Sequence, residues 1–250
     1  MPFPVPRSPF PVPLMLIEQQ PAYVLHARPY RETSMLLECL TRDHGRIGVV
    51  ARGVRRARAQ VQRAQLEPFQ SLQLDLLMRG ELATLRGAET IGVPLRLPGH
   101  ASLAGLYVNE LVVRLTGRQD PHPDLFDAYA RTLPRLATNE VLAWHLRRFE
   151  RDLLQAIGYA LQLEFEADSD EPLDPLGTYR YEVEQGARRC SAGDTRALRG
   201  SDLRALATDA MPDAQGLRAL RGMMRELIRF HLGGAELRAW HVLAMAVSRS

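Results

Sequence analysis

The N-terminal third of this chain carries short segments with the period of β-strands, and this pattern is the strongest constraint on its fold. Between Ala22 and about Leu95, apolar residues alternate or run together in five segments: AYVLHAR, SMLLECL, RIGVVARG, SLQLDLLM and LATLRGAETIG. Turn-forming residues separate these segments, and the longest connection follows the third one. Five strands in so short a stretch predict a small closed or half-closed barrel. The natural example is the OB-fold, which binds oligonucleotides.

The period of the sequence changes after the segment PLRLPG, and helices are predicted from there to the C-terminus. A hairpin, TYRYEVEQGARRCS, interrupts these helices. We therefore predict an α+β protein with three parts. They are a flexible, proline-rich tail (1–21), an OB-fold (22–96) and a mainly α-helical domain (97–250) with a small β-hairpin insertion. One line of a predicted helix near the C-terminus is basic and consists of Arg218, Arg221, Arg225 and Arg229.

Positive charge is concentrated in one stretch, from Arg42 to Arg63. This stretch holds seven arginines and a single acid, Asp43, whereas the whole chain has a net charge of only +3. Because the stretch covers the third predicted strand and the loop after it, it indicates a polyanionic partner for the barrel, most simply nucleic acid. The alternative is a solvated loop that aids solubility. The chain contains no lysine, so each basic contact would come from a planar, permanently charged guanidinium group.

Several functional classes lack their signatures in this sequence. No run approaches the roughly 20 apolar residues that span a bilayer, and prolines interrupt the opening MPFPVPRSPFPVP where a secretory signal needs an apolar core. The two cysteines, Cys39 and Cys190, lie far apart and fit a reducing cytoplasm better than a disulfide scaffold. No phosphate-binding loop, metal-ligand cluster or nucleophile arrangement is recognisable. We therefore expect a cytoplasmic protein that is not an enzyme and uses no cofactor.

The chain also resembles the RecO family of bacterial recombination mediators. The resemblance lies in LHARPYRETSMLLECLTRDHGRIGVVARGVRR, LEPFQSLQLDLLMRGELATLRGAE, GLYVNEL, LRRFERDLLQAIGY and HLGGAELRAWHVL, which follow one another from about Ala22 to Leu243. It implies an N-terminal OB-fold and a helical C-terminal domain. It also implies binding to single- and double-stranded DNA, annealing of complementary strands, and action with RecR. RecO-like proteins further engage the acidic C-terminal tail of the single-stranded-DNA-binding protein SSB and help to load RecA, which implies a nucleoid-associated protein.

The sequence departs from the family pattern in two places. Many RecO-like proteins carry a four-cysteine zinc element in the C-terminal domain, but the corresponding region here, about 163–191, offers only Cys190. We therefore expect no zinc. The string RAWH near the C-terminus also replaces a string that tends to be more basic in relatives.

Charge and resemblance together lead to a hypothesis for DNA binding. Phosphate contacts are independent of sequence, and we assign them to arginines of the predicted barrel and its loop. These are Arg28, Arg31, Arg46, Arg52, Arg55, Arg56 and Arg58. Tyr30 is a candidate stacking platform for a base, with packing in the protein as the alternative. The competing functions are a protein-interaction scaffold whose OB-fold does not bind DNA, and an RNA-binding protein.

A second hypothesis places the acidic tail of SSB on Arg147 and Arg148 of the helical domain. A basic rim beside an apolar groove would suit the carboxylates and the bulky apolar end of such a tail. Adjacent residues lie about 100° apart on a helix, so the two arginines are not expected to share one role. We assign Arg147 to the tail and expect Arg148 to pair with Glu110.

Overall fold

The computed structural model of the protein describes residues 14–55, 61, 63–138 and 140–240. The chain forms two compact units. The first extends to Pro94 and also contains Arg118–Pro121, and the second comprises Leu95–Gly117 and the chain from His122 onwards. The first unit is a β-barrel and the second is mainly helical, which confirms the predicted α+β class.

Five strands form the barrel of the first unit, as predicted. They are β1 (Leu14–Tyr30), β2 (Ser34–Thr41), β3 (Gly45–Ala51), β4 (Ser71–Arg79) and β5 (Leu82–Thr90). The barrel closes in the order β1-β2-β3-β5-β4, in which β3 and β5 are parallel and all other neighbours are antiparallel. Side chains alternate between the inside and the outside, as in β4, where Leu72, Leu74 and Leu76 are buried. The apolar core therefore fills the barrel.

Strand β1 is longer than the sequence pattern indicated. It begins at Leu14, so residues 14–21, which we predicted to belong to the flexible tail, instead pair with β4. The second half of β1 pairs with β2. A register shift between Ile17 and Gln20 interrupts the ladder with β4, and an irregularity of this kind bends a strand so that it can serve two neighbours. The remainder of the predicted tail, residues 1–13, lies outside the described residues.

A short segment, Arg118–Pro121, packs beside β3 as part of the barrel unit. The backbone N–H of Gln119 in this segment donates to the carbonyl of Arg46 at 3.0 Å. Gly45 permits the close approach, because its φ of 65° is in the left-handed region and a β-carbon there would collide with the backbone of Asp120. The periodicity of the sequence does not indicate this contact.

We expect Gly45→Ala to lower the free energy of unfolding by about 2–4 kcal/mol, because it adds a steric clash to a left-handed backbone. Urea unfolding followed by circular dichroism measures the loss. The matched control is Gly92→Ala, which also has a positive φ of 72° but no atom within 4 Å of the added carbon. The control should cost only about 1 kcal/mol. Equal losses in the two variants would contradict the role given to the Arg118–Pro121 contact.

Helices and a small sheet form the second unit. The helices are α1 (His100–Leu115), α2 (Pro123–Ala137), α3 (Leu142–Ala156), α4 (Gly200–Ala207) and α5 (Ala214–His231). The strands are β6 (Thr178–Glu182), β7 (Gly186–Arg189) and β8 (Leu198–Arg199), in the order β7-β6-β8. Strands β6 and β7 are the predicted hairpin, whereas β8 is too short to show a period in the sequence. Among the described residues, no helix is both long and apolar enough to cross a membrane.

Helix α3 buries about half of its residues in the second unit. Its Phe149, Leu153 and Leu154 have no exposed surface. The ring of Phe149 meets the ring of Tyr129 from α2 edge-on, with 6.4 Å between the ring centres, a favoured arrangement of aromatic pairs. Because α3 packs on several sides, polar side chains on it also become buried. Arg147, one of the predicted site residues, is among them.

Candidate nucleic-acid interface

An open groove of about 860 Å³ lies on the outside of the barrel. It runs between the β1–β2 turn, the end of β3 and the β4–β5 hairpin. Three arginines line it, one from each of these places, together with an aromatic ring and a single acid, Glu32. These arginines are Arg31, Arg52 and Arg79, and the ring belongs to Tyr30. The position resembles the face across which OB-folds bind nucleic acid.

The register of the strands extends this surface to Arg28. Arg28 in β1 pairs with Leu36 in β2, which pairs with Val50 in β3, which pairs with Thr84 in β5. Directly paired residues point to the same face of a sheet. Val50 and Thr84 line the groove and Arg28 is exposed, so Arg28 lies in a lateral row on the groove side of the sheet.

Arg31 and Tyr30 form one unit at the β1–β2 turn. The guanidinium carbon of Arg31 lies 5.2 Å from the centre of the Tyr30 ring, within the range of a cation–π contact. Arg31 has a φ of 55° and is exposed, whereas Tyr30 is half-buried. Arg31 therefore occupies one face of the Tyr30 ring. Tyr30 supports the arginine and also remains a candidate stacking surface for a base.

The loop after β3 contributes two exposed arginines that the sequence predicted. Arg52 lines the groove, and the backbone N–H of Arg55 donates to the carbonyl of Thr33 at 3.1 Å, which ties this loop to the β1–β2 turn. The predicted Arg56 and Arg58 lie outside the described residues. Sequence reasoning missed Arg79, which is the last residue of β4 and is exposed there.

Arg46 does not take part in the groove. Its guanidinium group pairs with Glu38 on the neighbouring strand β2, and only 12% of its side chain is exposed. The same carboxylate also accepts from Arg118 at 2.8 Å. The assignment of Arg46 to DNA is therefore corrected, because a largely buried, charge-paired arginine is not available to a phosphate.

The structure also corrects both roles predicted in the helical unit. Arg147 is 5% exposed and pairs with Glu150, which is fully buried, so it is not available to a peptide on the surface. Arg148 pairs with Asp209 rather than with Glu110, through two contacts of 2.9 and 2.5 Å. The carboxylate of Glu110 instead accepts the backbone N–H groups of residues 238 and 239.

Arg148 belongs to a surface with an excess of positive charge, which we call the α2–α3 arginine cluster. It comprises Arg131, Arg135, Arg148 and Arg151, with Asp152 and Asp209 as the partnering acids. Burial, and then the charges of Arg148 and Arg131, lower the pKa of Arg135. Arg135 makes no ion pair among the described residues. The arrangement can therefore accept a further anion.

A groove of about 530 Å³ adjoins this cluster. It includes Arg151 and Asp209 from the cluster, and its apolar lining comes from Leu161, Leu163 and Phe165. Phe165 is 44% exposed, a high value for a large aromatic side chain. Basic and apolar surface thus occur side by side, and of the two arginines that the sequence suggested only Arg148 belongs to the cluster.

The region 163–191 is where the resemblance to RecO-like proteins implied a zinc element. It offers Cys190 alone, and the described residues contain no group of three or more histidine, cysteine, aspartate or glutamate side chains that could hold a metal. The carboxylate of Glu166 accepts hydrogen bonds from the Tyr179 hydroxyl and from Nε of Arg189, both at 2.8 Å. The Tyr179 bond is the main cause of a lowered pKa at Glu166. Hydrogen bonds and ion pairs hold this region together, and its residues do not fit a zinc ion.

Comparison with known proteins places the chain in a family. A family model described as recombination protein O N terminal matches residues 15–94, and the model for recombination protein O C terminal matches residues 97–241. The chain is 49% identical to DNA repair protein RecO of Stenotrophomonas maltophilia strain R551-3, over 92% of this chain and 97% of that protein. It is 46% identical to DNA repair protein RecO of Xanthomonas euvesicatoria pv. vesicatoria strain 85-10, over 92% of this chain and 97% of that protein. Matches of this length, which cover both the barrel and the helical unit, show that the chain belongs to the RecO family.

Proposed function

We propose that this protein acts in DNA repair and binds single- and double-stranded DNA in the barrel groove. The observation that carries the proposal is the groove itself, where Arg31, Arg52 and Arg79 surround an open volume on the outer face of the barrel. The relatives are named DNA repair proteins, which supports the same role. The single acid in the lining, Glu32, leaves the groove with a positive balance.

The groove suits contact with sugar-phosphate chains of any sequence. Guanidinium groups neutralise phosphates and release the counterions around them, a contribution that does not depend on the bases. Two complementary strands repel one another through the same phosphates, so a protein that screens this charge favours their annealing. Such a function requires no bond to be made or broken, and it accords with a site built from arginines.

Binding and annealing assays test the proposal. Fluorescence anisotropy with a labelled single-stranded oligonucleotide should give an affinity that falls steeply as salt increases. Complementary strands coated with SSB should anneal faster when the protein is added. An absence of DNA binding at low salt would favour the alternative, a scaffold whose OB-fold binds proteins.

We propose in addition that the α2–α3 arginine cluster and the groove beside it receive the acidic C-terminal tail of SSB. The cluster supplies charge for carboxylates, and the lining that includes Leu161 and Phe165 supplies an apolar surface for a bulky terminal residue. Contact with SSB would bring the protein to coated strands in the cytoplasm. There it would act with RecR, and RecA would be loaded as an indirect consequence.

For the acidic tail, we expect Arg135→Glu to weaken binding of an SSB tail peptide by at least about tenfold, or about 1.4 kcal/mol. Arg135 is half-buried among like charges, so reversing its charge removes attraction at the centre of the cluster. Anisotropy with a labelled peptide measures the loss, while oligonucleotide binding should stay unchanged. Arg204→Glu, which reverses an exposed arginine on α4, is the control. Equal effects of the two substitutions would argue against a local site.

A further inference from the structure

A recess in the second unit shares no residue with either surface proposed above. It is formed by β6, by the segment that leads into β8 and by one side of α5, and has a volume of about 190 Å³. Apolar parts of its wall come from Leu198 and Met223. Three arginines also line it, and they come from three different segments of the chain. They are Arg180, Arg196 and Arg218.

The three arginines differ in how their charges are balanced. Arg180 pairs with Glu182 at 2.8 Å and with Asp194 at 3.6 Å, and neither acid belongs to the lining. Arg196 pairs at 3.0 Å with Glu226, the one acid in the lining. Arg218 is exposed and forms no ion pair within the described part of the chain. The recess therefore holds two guanidinium groups in place and leaves the third available to an anion.

Gly222 is a second feature of this recess, and it does not depend on charge. It lies inside helix α5, where glycine destabilises a helix relative to alanine. A β-carbon at this position would have no described atom within 4 Å, so packing does not account for the glycine. Gly222 lines the recess, and the missing side chain enlarges it. Space for a ligand in the recess would explain a glycine at this position of α5.

We propose that this recess binds a phosphate group. Three guanidinium groups around one small volume offer more donors than the two oxygens of a carboxylate can accept, whereas a phosphate monoester has three such oxygens and a charge near −2. The phosphate could come from a free nucleotide or inorganic phosphate, or from the end of a DNA strand. The proposal is independent of DNA binding in the barrel groove, because none of the residues is shared.

Thermal unfolding of the full chain in sodium phosphate, compared with sodium chloride of equal ionic strength, tests the site. Phosphate should raise Tm by about 2–4 °C through preferential binding to the folded state. Arg218→Glu should abolish the rise. Gly222→Leu should also abolish it by filling the recess, and leucine is a good helix former at an open position. Gly222→Ala checks that the helix accepts a side chain, and Arg204→Glu should keep the full rise.

The variants separate binding from the general stabilising effect of phosphate, which acts on any protein surface. An equal rise in Tm for all of them, or no rise in the wild type, would overturn the proposal. Oligonucleotides with and without a 5′-phosphate identify the source of the phosphate, tested on a variant in which the groove arginines Arg31, Arg52 and Arg79 are replaced with glutamate. A preference of at least about threefold for the phosphorylated strand assigns the site to strand ends, and no preference assigns it to free phosphate. An acidic peptide that gives a larger, Arg218-dependent rise than phosphate would replace the proposal with a peptide site.

Discussion

Replacing Arg31, Arg52 and Arg79 together with glutamate should weaken binding of a single-stranded oligonucleotide by at least about 100-fold near 0.1 M salt. These side chains are all the arginines that line the barrel groove, so the variant reverses the charge of every arginine in the lining. Each phosphate contact on a single strand contributes about 0.7 to the slope of log affinity against log salt. The slope should therefore fall by about 2, and anisotropy titrations at several salt concentrations measure both quantities.

The control for this experiment carries the same net charge but an intact groove. Arg86, Arg114 and Arg204 are exposed and do not line the groove, so their joint replacement with glutamate reverses equal charge elsewhere. We expect it to reduce affinity by no more than about threefold, through the long-range field alone. If both triple variants lost the same affinity, the groove would have no special part in binding, and the arginines would act only through total charge.

The parts of the barrel that could be predicted are those encoded locally. A two-residue period and the turn residues between segments specify strands wherever one face is buried, and all five strands follow the predicted segments. Arg31 and Arg52 were also predictable, because each directly follows a strand and leaves the ladder exposed. Strand β1 was predicted too short. The proline-rich composition of the N-terminal segment indicated a tail, whereas residues 14–21 pair with a strand more than fifty positions away.

The failures concern arginines whose neighbours are decided by tertiary structure. Arg46 belongs to the same basic stretch as Arg52, but strand register brings it to Glu38, and only the register reveals this. Arg148 pairs with Asp209, which lies 61 positions away. For Arg147 a local signal existed, because Glu150 follows at i+3. The sequence does not show which face of α3 becomes buried. Burial makes the Arg147–Glu150 pair part of the core instead of a surface contact.

Because the Arg147–Glu150 pair is buried, we expect Arg147→Ala to lower the free energy of unfolding by about 3–5 kcal/mol. The substitution leaves the carboxylate of Glu150 fully buried without its counter-charge. The Tyr107 hydroxyl, at 2.6 Å, is then its remaining hydrogen-bond donor among the described residues. Burial already raises the pKa of Glu150, and loss of the guanidinium should raise it further. A carboxyl group whose pKa is higher in the folded state than in the unfolded state destabilises the fold as pH rises above its ordinary range. The loss should therefore be larger at pH 8 than at pH 5, and urea unfolding at the two values measures it.

A double variant separates a broken ion pair from a removed one. Arg147→Met with Glu150→Gln takes away both charges, retains the volume of the arginine stem and keeps a carbonyl oxygen as acceptor for Tyr107. Because replacing a buried pair costs much less than breaking it, the double variant should be more stable than Arg147→Ala by about 2 kcal/mol or more. If Arg147→Ala instead kept wild-type stability and lost only affinity for the SSB tail peptide, Arg147 would be a binding residue, and its burial against Glu150 would not persist in solution.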